Sequence, residues 1–145
     1  MAHFTIRTST SRTATQCFAR LVDWDAHSAA IPLTRLRHDG PPRVGQRFIA
    51  RTGLGRLGFD DVMTVERLQP PAGDLPGQAP GEVEVAKHGR VIGGTVRWQV
   101  TPTDGGADVE WSQHLVVGWL PRWLDPMAGL VGRAAYTAGL RRLLR

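Results

Sequence analysis

Residues 95–117 read TVRWQVTPTDGGADVEWSQHLVV, and this stretch decides the fold. Apolar and polar side chains alternate on both sides of a central Asp104-Gly105-Gly106. Alternation of this kind is typical of a half-buried strand, and an Asp-Gly step between two strands indicates a tight turn. The stretch therefore predicts a β-hairpin with strands at about 91–101 and 107–117.

One face of this hairpin carries two tryptophans. Side chains two residues apart lie on the same face of a strand, so Val96, Trp98 and Val100 share a face. Trp111 and Gln113 share the matching face of the second strand. The two indoles could stack on a flat ligand or pack as ordinary core, and the sequence leaves both interpretations open. Gln113 would be a polar group that orients a ligand on an otherwise apolar face.

The rest of the chain divides into short segments with clear boundaries. Strands are predicted at residues 2–9 and at about 33–38, 46–52, 58–68 and 82–88. Two short helices are predicted at about 13–22 and 23–30, and Ile31-Pro32 ends the second. The proline-rich segment 70–81 is interpreted as a long loop between strands.

The last segment has a helical pattern from roughly Pro121 to Arg145. Asp125-Pro126 fits an N-cap and first helical residue, and a start at Pro121 with a kink at Pro126 is the alternative. The expected apolar face consists of Met127, Leu130, Val131, Ala134 and Leu140.

This order of elements predicts an α+β fold in which a curved antiparallel sheet wraps around the long C-terminal helix. The two short helices follow the first strand. Only the C-terminal segment is long enough to cover the concave apolar face of such a sheet. A sheet curved around a helix seldom fills completely, so we expect an apolar pocket between the two.

The composition excludes several classes of protein. A chain of 145 residues is the size of one domain, 1–145, and 41% hydrophobic with 21% charged residues excludes disorder. The single cysteine, Cys17, excludes an internal disulfide and a cysteine-rich zinc site. No signal peptide and no stretch of ~20 apolar residues is present, so we expect a cytoplasmic protein without stable membrane insertion.

The basic residues are distributed rather than clustered. The formal net charge is +5, and Lys87 is the only lysine among the 18 basic residues. A nucleic-acid-binding protein gathers its basic residues on one face, so we expect no nucleic-acid partner. The five histidines lack the spacing of metal ligands, and we expect neither a metal site nor a cofactor.

Residues 53–58, Gly-Leu-Gly-Arg-Leu-Gly, match the G-x-G-x-x-G pattern of dinucleotide-binding loops. That fingerprint also requires a helix directly afterwards, because the helix N-terminus holds the pyrophosphate. The residues that follow, 59–66, alternate and predict a strand. A glycine-rich hairpin turn is therefore the better interpretation.

Asp61 has two interpretations. If Met63 and Val65 face the core, alternation places Asp61 inward with them, where a carboxylate could act as a general acid or base. Alternatively, Asp61 lies at a solvated strand end or pairs with Arg51 or Arg97. The second interpretation is the one that we favour from the sequence.

An apolar stretch precedes the last helix and also has more than one interpretation. It could be core, a gate over the pocket, or a surface for a partner or a membrane. The stretch consists of Trp119, Leu120, Trp123 and Leu124.

Short motifs follow one another over nearly the whole chain. They are Phe18-x-x-Leu21-Val22-Asp23-Trp24, Ile31-Pro32, Val44-Gly45-x-x-Phe48, Asp61-x-Met63-x-Val65, Lys87-x-Gly89, Trp98-x-x-x-Pro102, Trp111 and Leu140-x-x-Leu143. In this order the chain resembles the START-like superfamily, also called SRPBCC or the polyketide cyclase/dehydrase and lipid transport group. The resemblance implies a helix-grip fold with a cavity. It implies no particular reaction, because the family has no universal catalytic signature.

The expected function is non-covalent binding of a small hydrophobic or aromatic molecule, such as a lipid, a polyketide or a quinone-like compound. The alternative is a cyclase or dehydratase-type enzyme in which one cavity residue moves protons, with Asp61 as the candidate. Whether the chain is an enzyme, and whether it forms a homodimer, stays open. The expected ligand contacts are Phe48, Phe59, Asp61, Met63, Val96, Trp98, Trp111, Gln113, Met127, Leu130 and Ala134.

Overall fold

Strands and helices follow the predicted order in the computed structural model, which describes residues 2–30, 34–54, 56–89, 92–117 and 125–145. The elements are β1 (Ala2–Thr10), α1 (Ala14–Leu21), α2 (Trp24–Ala30), β2 (Thr34–Arg37), β3 (Arg47–Leu54), β4 (Leu57–Gln69), β5 (Gly81–His88), β6 (Ile92–Thr103), β7 (Gly106–Val117) and α3 (Asp125–Leu143). The helix α3 begins at Asp125, the residue that the sequence predicts as its N-cap. The alternative start at Pro121 lies outside the described residues.

The strands form one curled antiparallel sheet in the order β1-β7-β6-β5-β4-β3-β2. From β2 to β7 each strand pairs with the next one in the chain, so this part of the sheet is a meander. The first strand pairs with the last, which places Ile6 opposite Trp111. Together with α3 this is the predicted α+β helix-grip architecture.

The predicted hairpin is confirmed, and its turn is as tight as the sequence indicates. Thr103 pairs with Gly106, so Asp104 and Gly105 alone form the turn between β6 and β7. The start of β7 also passes very close to the end of β1. A Cβ at Gly106 would collide with the carbonyl oxygen of Thr10, and glycine is therefore required at this position.

The sheet bends at a bulge in β4. Val65 pairs with Val85 and Arg67 pairs with Glu84, so Glu66 is an extra residue in the strand. A bulge of this kind bends the strand and increases the local twist, which helps the sheet to curl. Two glycines inside a strand would also favour a bulge at Gly93-Gly94, but the pairing of β6 runs through these residues without a shift.

The N-terminus of α1 is held by two sets of hydrogen bonds. Thr13 and Gln16 form a capping box, in which each side chain accepts from the other residue's backbone N–H. The N–H of Thr15 donates to Asp74 Oδ1 at 2.8 Å, and this bond lowers the pKa of Asp74. Asp74 belongs to the proline-rich loop, so the same contact ties that loop to the helix.

The face of α3 that enters the core differs from the expected one. Leu140, Leu143 and Leu144 are buried, whereas Leu130 is 70% exposed and Ala134 is exposed. At 3.6 residues per turn, Ala134 and Leu140 lie about 120° apart around the helix, so the two cannot share one narrow face.

No helix in the described part of the chain is both long and apolar enough to span a bilayer.

Candidate functional site

A cavity of about 210 Å³ lies between the sheet, α2 and α3. Seven of the residues expected to contact a ligand line it. They come from β3, β4, β6 and β7, whose alternating side chains point into the curl of the sheet. The seven are Phe48, Asp61, Met63, Val96, Trp98, Trp111 and Gln113.

The contribution of α3 to the cavity corrects the expectation from the sequence. Leu130 and Ala134 are absent from the described lining, and the helix instead presents Ala135 and Tyr136. This follows from the rotation of α3 that buries Leu140. The side chains of Phe59 and Met127, and the whole stretch 118–124 with Trp119 and Trp123, lie outside the described residues.

Six of the sixteen described lining residues carry aromatic rings. Trp98 and Trp111 are directly opposite each other on β6 and β7, with ring centroids 5.2 Å apart and ring planes at 84°. Trp24 of α2 stacks on Phe48 at 4.6 Å, and Tyr136 lies 5.1 Å from Trp111. Rings at these distances pack favourably edge to face or offset, and they offer flat apolar surface to a ligand.

Trp24 is held in place from the side remote from the cavity. Its Nε1 donates to Gln46 Oε1 at 3.1 Å, and the Gln46 amide donates to Asp39 and to the carbonyl of Gly40. Arg43 donates twice to Asp39, and hydrogen bonds from Arg43 and Gln46 lower the pKa of Asp39 to about 2. The indole therefore has a fixed orientation before any ligand enters.

His27 lies one turn after Trp24 on α2 and also lines the cavity. Its Nε2 is 2.7 Å from the carbonyl oxygen of Leu21, which can only accept, so Nε2 carries the proton. Burial lowers the pKa of His27, because the charged imidazolium would lose its hydration. His27 is thus a neutral imidazole with Nδ1 as an acceptor, and its ring lies 5.5 Å from that of Trp98.

Asp61 faces inward and is not exposed to solvent. It forms an ion pair with Lys87 and not with an arginine. Lys87 Nζ lies 3.0 Å from Asp61 Oδ2, and the two side chains are 6% and 5% exposed. Arg51 pairs instead with the neighbouring Asp60, and Arg97 pairs with glutamates of β5. The interpretation that we favoured from the sequence is therefore corrected, because the core-facing side of β4 includes Asp61.

The charge of Lys87 is maintained despite its burial. Burial by itself lowers the pKa of Lys87, but Tyr136 and Asp61 act in the opposite direction and the net effect raises the pKa above its usual 10.5. The ammonium also lies 6.0 Å from the centroid of the Tyr136 ring. Lys87 and Asp61 therefore form a buried salt bridge.

Three residues of the lining each have one buried polar atom without a hydrogen-bond partner in the described structure. The atoms are Asp61 Oδ1, Trp98 Nε1 and Gln113 Nε2. A buried polar group left unpaired costs about 1–3 kcal/mol. All three atoms belong to residues that line the same cavity.

Sequence reasoning missed Trp24, His27, Lys87 and Tyr136 as cavity residues. A signal for Lys87 was available, because it follows Val83 and Val85 at the spacing of one strand face, where a charge is unexpected. It is also the only lysine in an arginine-rich chain, and a compact ammonium fits where a guanidinium fork does not. Tyr136 is the only tyrosine, but no pattern relates it to Lys87.

Among the described residues, no group of three or more His, Cys, Asp or Glu side chains could hold a metal ion.

No protein-family model and no curated protein sequence matches this chain. Solved structures are similar to it in fold. The di-domain ARO/CYC StfQ from the steffimycin biosynthetic pathway has a TM-score of 0.72 and 16% identity over 99% of this chain, which covers 49% of StfQ. The Zhui aromatase/cyclase from Streptomyces sp. R1128 has a TM-score of 0.71 and 11% identity over 98% of this chain and 90% of Zhui.

Ara h 8.0201 is a third similar structure, with a TM-score of 0.64 and 10% identity over 98% of this chain and 97% of that chain. Likeness at such low identity establishes the fold. The chain has a helix-grip fold, as the resemblance in its sequence implies.

Proposed function

We propose that the chain binds a small aromatic molecule non-covalently in this cavity. The observation that carries the proposal is three polar atoms without a partner among the described residues, from Asp61, Trp98 and Gln113, in a wall with six aromatic rings. Contact with the rings would supply most of the affinity, and the polar atoms would orient the ligand. StfQ and Zhui, an ARO/CYC and an aromatase/cyclase, share the fold, which supports a ring compound as the ligand.

The volume of the cavity limits the ligand. A cavity of roughly 150 Å³ is enough for benzene, so about 210 Å³ fits a compound of one or two rings. Among the ligands expected from the sequence, a quinone-like or polyketide-derived ring compound fits this volume better than a long-chain lipid. The proposed contacts are the seven expected residues of the sheet together with Trp24, His27, Lys87, Ala135 and Tyr136.

A substitution at the rim of the cavity tests this function. Ala135 is exposed on α3 and lines the cavity, so Ala135→Trp would obstruct the cavity without disturbing the core. Ala134→Trp is the matched control, because Ala134 is also exposed but is not part of the described lining. The probes are 2-naphthol and 2-acetylnaphthalene, measured by isothermal titration calorimetry.

We expect the wild type and Ala134→Trp to bind at least one probe, and Ala135→Trp to bind it about tenfold more weakly or worse. Equal affinity of the two variants would contradict the assignment of the cavity as the site. Absence of binding by the wild type to any compound of one or two rings would contradict the function itself.

A cyclase or dehydratase-type enzyme is the second candidate, and one feature of Asp61 favours it. Its Oδ2 is held by Lys87, and its Oδ1 is without a partner among the described residues, so a carboxylate oxygen is available to take a proton from a bound ketone. The test is exchange of the α-protons of 2-tetralone with D₂O, followed by NMR. Exchange faster than in buffer that is lost in Asp61→Asn would support the enzyme, and exchange at the buffer rate would exclude this chemistry.

A further inference from the structure

The three unpaired atoms of the cavity are two donors and one acceptor. The indole Nε1 of Trp98 can only donate. The free end of Gln113 is its NH₂ group, because the amide oxygen already accepts from Trp111 Nε1 at 3.3 Å. Asp61 Oδ1 belongs to a carboxylate paired with Lys87, so it can only accept. A ligand that satisfies all three must therefore present both an acceptor and a donor.

The donors and the acceptor lie on different walls of the cavity. Trp98 is opposite Trp111, and Gln113 is two residues further along β7, so the Cβ atoms of Trp98 and Gln113 are roughly 7 Å apart. Asp61 is on β4, which lies three strands or roughly 14 Å across the sheet from β7. It is also four residues along β4 from Val65, the residue in the same register row as Gln113. One acceptor of the ligand can meet both donors while a donor at its other end meets Asp61.

The charged groups of the cavity neutralise each other. Among the described lining residues, Asp61 and Lys87 are the charged ones, and they are 3.0 Å apart. His27 is neutral, because burial lowers its pKa. An anionic ligand would place a second negative charge beside Asp61, and no other cation among the described lining residues would balance it. Repulsion of this kind is strong where water is excluded.

Building on the binding function above, we propose that the ligand is a neutral aromatic compound with a carbonyl at one end and a hydroxyl at the other. The carbonyl accepts from Trp98 Nε1 and Gln113 Nε2, and the hydroxyl donates to Asp61 Oδ1. A quinone has acceptors only and would leave Asp61 Oδ1 without a partner. An aromatic carboxylate would be repelled by it.

A series of four naphthalenes tests this selectivity. They are 6-acetyl-2-naphthol, which has both groups, 2-acetylnaphthalene, 2-naphthol and 6-hydroxy-2-naphthoate. The one-ring counterparts are 4-hydroxyacetophenone, acetophenone, phenol and 4-hydroxybenzoate. Dissociation constants are measured by isothermal titration calorimetry at neutral pH.

In at least one series we expect the hydroxy ketone to bind about tenfold or more tightly than each compound that lacks one group, with the carboxylate weakest. Affinities within about threefold across both series would overturn the inference and leave aromatic binding in place. Absence of binding by every compound would overturn the proposed function as well, so the two failures are distinguishable.

Asp61→Asn adds a test of the charge argument. The variant leaves Lys87 as an unpaired cation, so its preference should reverse, with the hydroxynaphthoate binding about tenfold more tightly than to the wild type. A folded Asn variant that retains the wild-type order of affinities would overturn the inference.

Trp98→Phe keeps an aromatic ring and removes one hydrogen-bond donor. It tests the inference independently if Asp61→Asn does not fold. We expect it to weaken 6-acetyl-2-naphthol and 2-acetylnaphthalene about tenfold and to leave 2-naphthol unchanged. Equal weakening of all three compounds would overturn the inference, because it would mean that the ring of Trp98 matters and its N–H does not.

Discussion

Lys87 Nζ donates to Asp61 Oδ2 at 3.0 Å across the boundary between β5 and β4. Lys87 is opposite Met63, and Asp61 lies two residues earlier on β4, so the two charged side chains are diagonal neighbours on the cavity face. Because both are almost fully buried, neither charge can exchange its partner for water. The stability of the fold and the polarity of the cavity therefore depend on the same pair.

Removal of one charge should cost far more than removal of both. Lys87→Met leaves the Asp61 carboxylate buried and uncompensated, and loss of one partner of a buried ion pair costs about 3–5 kcal/mol. The double variant Asp61→Asn with Lys87→Met has no buried charge at this point and should lose about 1 kcal/mol or less. Urea unfolding, followed by tryptophan fluorescence, measures the free energy of unfolding of both variants. A double variant as unstable as Lys87→Met would contradict the coupling.

The indole N–H of Trp24 has a hydrogen-bond partner, and that of Trp98 has none among the described residues. Substitution of each tryptophan by phenylalanine tests this difference. Both reduce a buried ring by the same volume, but only Trp24→Phe removes a hydrogen bond and leaves Gln46 Oε1 without its donor. Without ligand, Trp24→Phe should therefore be about 1–3 kcal/mol less stable than Trp98→Phe. Urea unfolding followed by far-UV circular dichroism gives the comparison. Equal losses would mean that the N–H of Trp98 also has a partner in the free protein.

The sheet could be predicted because its signal is local. Alternation around Asp104-Gly105 identifies β6 and β7, and the same alternation places Trp98 and Gln113 on the cavity face. The orientation of α3 could not be predicted in this way. Its small residues give no strong apolar stripe, and packing against β1 and α2 decides which side is buried. The contribution of Ala135 and Tyr136 to the cavity is a consequence of that packing.

The interaction partners of the buried polar groups could not be predicted from the sequence either, for a different reason. The two arginines that the sequence offered as partners of Asp61, Arg51 and Arg97, each pair instead with an acidic residue on the outer face of the sheet. Tyr136 reaches Lys87 only because α3 packs against the sheet. Alternation predicts which face of the sheet a side chain occupies, but it does not predict which side chain that residue pairs with.

The turn between β6 and β7 offers two adjacent glycines with different surroundings. A Cβ at Gly106 would collide with the backbone of β1 at Thr10, whereas a Cβ at Gly105 would meet nothing within 4 Å. Gly106→Ala should therefore cost about 2 kcal/mol or more, and Gly105→Ala about 0.5 kcal/mol at most. Thermal unfolding followed by circular dichroism compares them. Similar losses would show that β1 moves away without cost.

Cys17 should be unreactive in the folded protein. It is fully buried, and burial raises the pKa of its thiol to about 11. At pH 8 only about one thiol in a thousand is then ionised, and thiolate is the reactive form. Labelling with Ellman's reagent should be about a hundredfold slower than in urea. Rapid labelling under native conditions would mean that α1 opens frequently.

His27 should make the protein sensitive to mild acid. Burial lowers its pKa from the usual 6.5, so below pH 6.5 the unfolded chain takes up a proton that the folded chain does not. Protonation of His27 therefore does not reduce the free energy of unfolding above pH 6.5. As the pH falls from 6.5 toward the pKa of His27 in the folded protein, the free energy of unfolding decreases by up to about 1.4 kcal/mol per pH unit. His27→Gln should flatten this slope in urea unfolding between pH 5 and pH 7.5. His38→Gln is the control, because Asp25 raises the pKa of His38 and that stabilisation is lost only as the pH rises above 6.5. If His38→Gln rather than His27→Gln removed the acid sensitivity, the assignment to the cavity histidine would be wrong.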